Sequence, residues 1–401
     1  MKKSLLLGTA ISVTLGGITG AVAQSEDTIV VTATKREQTL QEVPVAVSVV
    51  DDSVIEQAQI NDILDLQSIV PSLRVSQLEQ SGNTSFIIRG FGNGSNNPGI
   101  EPSVGVFVDG VYRSRSAGAI SDLPELQRVE VLRGPQSTLF GKNASAGVVS
   151  FITQAPQFET QGSVEATYGN YNQAIVKGYV TGPLSETVAY SLSGSLNQRD
   201  GYVDNNFLGT EINDRDRWAL RGQLLFEPSS DLSFRFIADY DEINEKCCYA
   251  PHLFAGPFTQ ATQLLGGQFN DDPFTYETFL DRDPTNEITN GGISLTVEQN
   301  FENMDLTVIT SYRDQSLLAN GDTDFTSANI ISGREVNNDV QTFTGEIRLA
   351  SNGNSRFEWM VGGFLFDEQL QGDGNVFYGP QFSNYADILV EGAGLPGALG
   401  A

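Results

Sequence analysis

From residue 162 onward the chain alternates with a period of two, and that pattern restricts its fold more than any other feature. In 232–240, Leu232, Phe234, Phe236, Ala238 and Tyr240 share one face, while Ser233, Arg235, Ile237 and Asp239 share the other. In 217–226, Trp218, Leu220, Gly222, Leu224 and Phe226 oppose Arg217, Ala219, Arg221, Gln223 and Leu225. In 187–198, Val188, Tyr190, Leu192 and Leu196 oppose Ser191, Ser193, Ser195 and Asn197. Strict alternation marks strands whose two faces meet different environments. The second faces are too polar for a sandwich core and suit a wet lumen, which leaves the first faces for lipid. Runs of about 9–11 residues match tilted membrane strands. Tyr168, Tyr190, Trp218 and Tyr240 sit near run ends, where an interfacial girdle places aromatics.

Nine such strands are predicted, at 162–169, 172–182, 187–199, 214–228, 231–242, 288–300, 304–316, 337–350 and 356–368. The joints at 182–186, 228–230, 300–303 and 351–355 are short, and those at 200–213, 243–287 and 317–336 are long and polar. Only the tight first hairpin at Gly169 and Asn170 breaks this alternation. Short periplasmic turns and long outer loops behave this way in outer-membrane barrels. A soluble sandwich has no reason to gather every long loop at one end.

The N-terminus is consistent with export. Lys2 and Lys3 precede an apolar, glycine-interrupted core, and Ala21-Val22-Ala23 forms a small-residue cleavage site, so 1–23 read as a signal peptide. No later stretch offers the roughly 20 apolar residues of a spanning helix. Formal charge is −27, or −29 once Lys2 and Lys3 leave, which argues against nucleic acid as a partner. The only cysteines, Cys247 and Cys248, are adjacent. In an oxidising compartment a loop-stiffening vicinal disulfide is the favoured reading. A metal-binding pair is the alternative, with only His252 nearby.

Residues 40–156 read as one α+β domain. The stretch 43–50 is strand-like, Asp51 or Asp52 caps a helix through Gln57, Asn61 caps a second through Ile69, and Pro71 stops it. Strands follow at 85–89 and 104–111, with Asp109-Gly110 supplying a turn. The run 125–154 is strand, turn at Gly134-Pro135, one helical turn at 136–140, and strand at 147–153. Ala144, Ser145, Ala146 and Gly147 permit close backbone approach there.

In order, FIIRGFG, VGVFVDGVY and LRGPQSTLFG resemble the plug-domain motifs of TonB-dependent outer-membrane receptors, at Arg89, Gly90, Asp109, Gly110, Arg133, Gly134, Pro135 and Gly141. The resemblance implies an α+β plug domain followed by an antiparallel transmembrane β-barrel. The chain then divides into a signal peptide at 1–23, a tether at 24–39, the plug at 40–156 and part of the barrel at 157–401. By pattern, Asp27, Thr28, Ile29, Val30, Val31, Thr32 and Ala33 form either a flexible tail that adds to another protein's sheet edge or an ordinary first strand. DTIVVTA resembles the TonB box, which implies TonB as a partner in the periplasm. Its closeness to the cleavage site leaves no room for an N-terminal signalling domain. The resemblance also implies substrate-facing apical loops containing Phe91, Asn93, Asn96, Asn97, Tyr112 and Arg113. Arg89 and Arg133 end strands inside the enclosed domain. A buried arginine must be paired, and the resemblance implies glutamates of the barrel wall as their partners.

The plug-bearing barrels have about 22 strands, and nine leave open edges that hydrocarbon does not tolerate. The chain is therefore expected to be part of a longer receptor. Enzyme signatures fail on inspection. No helix follows Gly90, Gly92 and Gly94, and Gly134 to Lys142 has the wrong spacing for a phosphate loop. There is no nucleophile elbow, and one histidine makes a histidine-based triad improbable. No catalytic residue, cofactor or resident metal is expected. The resemblance implies TonB-driven uptake of a scarce solute, foremost a ferric siderophore. An oligosaccharide, cobalamin or an aromatic compound are the other cargoes, and a non-transporting surface receptor or adhesin is the rival role.

Overall fold

A computed structural model describes residues 30–36, 38–60, 62–93, 97, 99–120, 122, 125–352 and 357–392. The chain opens with a two-residue pair, β1 (Val30–Val31) and β2 (Gln38–Thr39). Then come β3 (Val47–Asp51), α1 (Asp52–Gln57), α2 (Leu66–Ile69), and the hairpin β4 (Leu73–Leu78) and β5 (Gln80–Ile88). A second hairpin, β6 (Val104–Val108) and β7 (Val111–Arg113), turns at Asp109 and Gly110, whose φ values of 48° and 79° are those of a two-residue hairpin turn. β8 (Leu126–Arg133), α3 (Ser137–Phe140) and β9 (Gly147–Thr153) complete a five-stranded sheet of order β3-β8-β9-β6-β7. At Gly147 a Cβ would lie 2.4 Å from the Leu132 carbonyl oxygen, so the crossing of β8 and β9 admits no side chain there.

Asp51 caps α1 as expected. Asn61 lies outside the described residues. The second cap is Asp62, whose carboxylate accepts from the Leu64 and Asp65 amides while Asp65 bonds back to the Asp62 amide. One face of the sheet packs on both helices and on β4–β5 through Val129, Val131, Val149, Phe151, Phe86 and Leu66.

The second unit is a single antiparallel sheet in which every strand neighbours the next long strand of the sequence. Its members are β10 (Gln161–Tyr168), β11 (Ala174–Pro183), β12 (Val188–Arg199), β15 (Arg215–Ser229), β16 (Leu232–Glu245), β18 (Thr285–Asn300), β19 (Met304–Gly321), β20 (Ile331–Ser351) and β21 (Met360–Tyr378). These are the nine predicted strands. β13 (Val203–Asn205), β14 (Thr210–Ile212) and β17 (Glu277–Thr278) form a small separate sheet in the long loops. Pattern reading missed that sheet, along with α4 (Pro257–Leu264) and α5 (Phe382–Gly392). β19 and β20 run to 18 and 21 residues, well beyond a bilayer's need of about 9–11. Their extra length is on the long-loop side, where polar residues such as Asn320 and Glu335 continue the ladder.

Burial along these strands is inverted relative to a soluble protein. Ser193 is 5% exposed and Leu192 47%; Ala219 is 9% exposed and Leu220 50%. Inward polar residues face one another across strands, as in Ser193↔Arg221 and Arg221↔Asp239, while Leu196↔Trp218 and Leu224↔Phe236 lie on the outer side. Trp218 pairs with Tyr240 at 5.3 Å near one end of β15 and Phe226 stacks on Phe234 at 5.8 Å near the other. Leu220, Gly222 and Leu224 fill the band between these aromatics, as lipid contact requires. Leu224→Arg is accordingly expected to destabilise the inserted sheet by about 2–4 kcal/mol. Denaturant titration of the protein refolded into lipid checks this; a cost near zero would contradict a lipid-facing position.

Candidate functional site

The first described residues are docked, not free. Val31 and Ala33 are fully buried against Phe107, Tyr112, Leu132, Phe140, Ala144 and Val148. β1 finds its partner in β2, which pattern reading did not supply. The Thr32 amide donates to Glu130 at 3.0 Å, and Arg128 bonds the same carboxylate at 2.8 Å. Lys35 reaches from the tether to the wall, bonding Glu346 at 3.0 Å, and lies 4.6 Å above the Phe140 ring. Asp27, Thr28, Ile29 and the stretch 1–23 expected to be a signal peptide lie outside the described residues.

The plug sits against the inward face of the sheet, held by buried ion pairs, but not those expected. Arg89 has φ 53°, projects to the surface, and makes no ion pair among the described residues. Arg133 bonds only backbone, its Nη2 lying 3.4 Å from the Val47 carbonyl. Neither meets a glutamate of the wall. Both follow their strands into turns, so the chain leaves the core where they stand. The buried pairs that cross the interface are Arg113–Asp239, Arg115–Glu368, Arg221–Asp109, Arg235–Asp109, Arg217–Asp122 and Arg215–Asp62, with the exposed Arg334–Glu79 pair at the rim. Four of the six buried pairs put the arginine on the wall and the acid on the plug, the reverse of the expected polarity. Asp109 serves twice over: it also accepts from the Thr153 amide and hydroxyl at 2.9 Å each, tying the β6–β7 turn to the end of β9. Glu245 is another node, contacting Arg217, Arg215 and the plug's Ser81. The signal for Arg217, Arg221, Arg235 and Asp239 was in the sequence, since all four occupy inward positions of the alternating strands.

Gly134 and Pro135 begin a loop closed by amide bonds from Gly134 to Ala146 and from Gln136 to Ala144, with Pro135 exposed. Gly141 rests against Phe364 of the wall. Among the apical residues, Phe91 is 72% exposed beside Gly90, and Asn93 donates to the Glu101 carbonyl at 2.7 Å. Asn96 lies outside the described residues. Tyr112 is not presented to solvent; its ring packs on Phe107 and its hydroxyl accepts from Asn143 at 2.8 Å. Asn93, Asn97 and Arg113 do converge, on a cavity of about 70 Å³ between the plug and β19–β21.

Above the plug, Cys247 and Cys248 are bonded to each other. Asn286 donates to the Cys247 carbonyl, and the Cys248 amide donates to the Glu79 carbonyl at 3.0 Å. The pair thereby fastens the root of the long 246–284 segment to the tip of the β4–β5 hairpin. Farther along, Asp281, Asp322 and Asp324 bring three carboxyls together from two loops, and the Asp281 amide donates to Asp322. Burial and the charge of Asp324 push Asp281 up to about 6, burial with the charges of Asp324 and Asp281 raises Asp322, and burial raises Asp324.

A raised folded-state value means the folded loops hold protons that unfolded loops release. Their packing is therefore firmest in acid and weakens as pH rises from the ordinary 3.8 through 6. Amide exchange at Asp281, corrected for intrinsic rate, is expected to quicken over that range, and Asp281→Asn to slow it at neutral pH. The expected size is roughly threefold, reduced by partial exposure and shared titration from the roughly hundredfold of a two-unit shift. Exchange unchanged by the substitution would remove the repulsion account.

Residues 39–148 match the family model described as "TonB-dependent Receptor Plug Domain". The chain is 33% identical over 184 residues to the vitamin B12 transporter BtuB of Vibrio vulnificus, covering 45% of this chain and 29% of the relative. It is 34% identical over 216 residues to the iron-regulated outer membrane virulence protein of Vibrio cholerae, covering 48% and 31%. Its fold resembles that of the ferric yersiniabactin uptake receptor from Yersinia pestis with a TM-score of 0.73 at 18% identity, over 83% of this chain and 50% of the receptor. The chain thus spans under a third of the curated relatives it matches and half of that solved structure. Residues 39–148 are thus a plug domain of the TonB-dependent receptor kind, lodged against an alternating wall whose fold is that of the solved receptor.

Proposed function

We propose that the receptor carrying this chain takes up a scarce solute across the outer membrane, foremost a ferric siderophore, with TonB as the source of force acting on residues 27–33. One observation carries the reading. The segment at 30–33 is bonded to Glu130 of the interior plug strand β8, while the same plug is locked to the wall by buried ion pairs. Tension on the tether therefore bears first on the plug, with the wall as the fixed frame. The iron-regulated and iron-chelate names among the similar proteins support an iron cargo. The vitamin B12 name keeps cobalamin as the second reading.

Deleting 27–33 is expected to abolish energised uptake while leaving solute binding at the cell surface intact. Unchanged uptake would contradict the proposal and favour a surface-binding role. Expression repressed by iron would separate iron cargo from cobalamin.

A further inference from the structure

Cys247 and Cys248 are the sequence feature to which uptake assigns no role. Adjacent cysteines close almost no chain, so their bond supplies little of the entropic stabilisation a disulfide usually gives. What the ring holds is the single peptide unit inside it. The carbonyl of that unit, on Cys247, accepts from the Asn286 side chain of the wall strand β18. Its N–H, on Cys248, donates to the Glu79 carbonyl of the plug at 3.0 Å. Asn286 closes the circuit, because its Oδ1 accepts from the Ser81 amide at 2.9 Å. Glu79 and Ser81 stand at the tip of the β4–β5 hairpin, so one peptide unit and one side chain grip that tip together.

The grip is dry and local. Asn286 and Ser81 are fully buried, and Cys247 and Cys248 are buried as well. On either side of the pair, the Lys246 carbonyl and the Tyr249 amide are bonded to Asn213, at the root of β15, at 2.7 and 2.8 Å. Opening the ring therefore leaves 246–249 attached to the wall, and the loss falls on the hairpin. Beyond the tip, β5 contributes Gln80, Gly82, Asn83, Ser85 and Phe86 to the cavity between the plug and β19–β21, so the grip fixes one side of that cavity.

We infer that Cys247 and Cys248 form a redox-operated clasp: as a disulfide they fix the peptide unit that joins wall to plug hairpin, and as two thiols they let the tip go. The reductant is a small dithiol. One of its thiolates attacks a sulfur of the pair and breaks the S–S bond; its second thiol then displaces the first from the mixed disulfide. The reagent leaves as a cyclic disulfide, and its two hydrogens end on Cys247 and Cys248. Sulfurs no longer bonded must separate, and in a buried site the peptide unit between them takes up the movement. The clasp acts whatever solute the cavity receives.

The test is amide exchange of the whole receptor in lipid vesicles, before and after treatment with a dithiol, with thiols counted in a denatured aliquot. On reduction, exchange at Ser81 and Cys248 is expected to rise about tenfold, while Val129 and Val131 in β8 stay protected and reoxidation restores the tip. The Ser81 hydroxyl keeps Glu245, so the tip does not reach the rate of an unstructured peptide. Asn286→Ala leaves the disulfide in place but removes its hold on the wall, and should speed reduction of the pair about threefold or more. Replacing both cysteines by Ser should give the reduced pattern with no response to dithiol. Protection at Ser81 and Cys248 unchanged by complete reduction would overturn the inference. So would equal loss of protection in β8, a reduction rate unmoved by Asn286→Ala, or a pair that the dithiol leaves oxidised in the folded receptor.

Discussion

Glu245→Ala is expected to loosen the plug from the wall at a cost of about 3–5 kcal/mol, the usual penalty for stripping one partner from a buried ion pair. The Glu245 side chain is fully buried, and its two oxygens receive Arg217 Nε at 2.5 Å, Arg217 Nη2 at 3.2 Å and the Ser81 hydroxyl at 3.0 Å. Without it, Arg217 keeps only Asp122 at 3.5 Å and the Ile120 carbonyl at 3.3 Å. Arg217 and Glu245 both stand on the wall, but the plug covers them through Ser81, Ile120 and Asp122, so releasing the plug rehydrates the stranded guanidinium and the loss falls on the plug–wall contact. Urea titration of plug release should show the midpoint fall, while the wall's own unfolding moves little. Replacing Arg217 and Glu245 together with Met and Leu should cost less than the single change, because the stranded guanidinium is gone and Asp122 keeps the Asn197 amide at 3.0 Å. Equal costs for the single and double variants would contradict the pairing.

The second large effect concerns the tether. Phe107→Ala should cost the plug about 3–5 kcal/mol, combining lost transfer energy with the cavity left behind. Phe107 is 1% exposed, lies 5.2 Å from Phe140 and 5.3 Å from Tyr112, and belongs to the cluster that buries Val31 and Ala33. It also lies beneath the Lys35 ammonium at 5.2 Å. Amide exchange at Val31, Thr32 and Ala33 is expected to rise toward the rate of an unstructured peptide. Protection retained at those three amides would show that the tether docks by other means.

Much of the wall was legible because lipid and lumen impose a period of two on every strand, and hairpin connections keep partners adjacent. The ion pairs were half legible. Arg217, Arg221 and Arg235 stand out as charges in an alternating register. Their partners do not, because Arg221 and Asp109 are 112 positions apart and leave no local mark. Arg89 and Arg133 illustrate the same limit. A strand-terminal arginine in an enclosed domain reads as buried, yet the left-handed turn at Arg89 carries it outward. The loop sheet escaped notice because β13 pairs in parallel with β17 across more than seventy residues through two-residue contacts. The docking of Val31 and Ala33 follows from an alternation only two residues long, which acquires meaning once Phe107, Leu132 and Val148 provide the surface.

The central claim is that the apolar faces of the alternating strands meet lipid, and lipid-borne quenching of single tryptophans tests it most directly. With Trp359 and any tryptophan of the receptor beyond these 401 residues replaced by Phe, Trp218 should be quenched most by lipids brominated near the headgroups. With Trp218 also replaced, Leu224→Trp should be quenched most by bromines deep in the acyl chains. Insensitivity of both positions to every brominated lipid, with quenching only by a water-soluble agent or by none, would contradict the account.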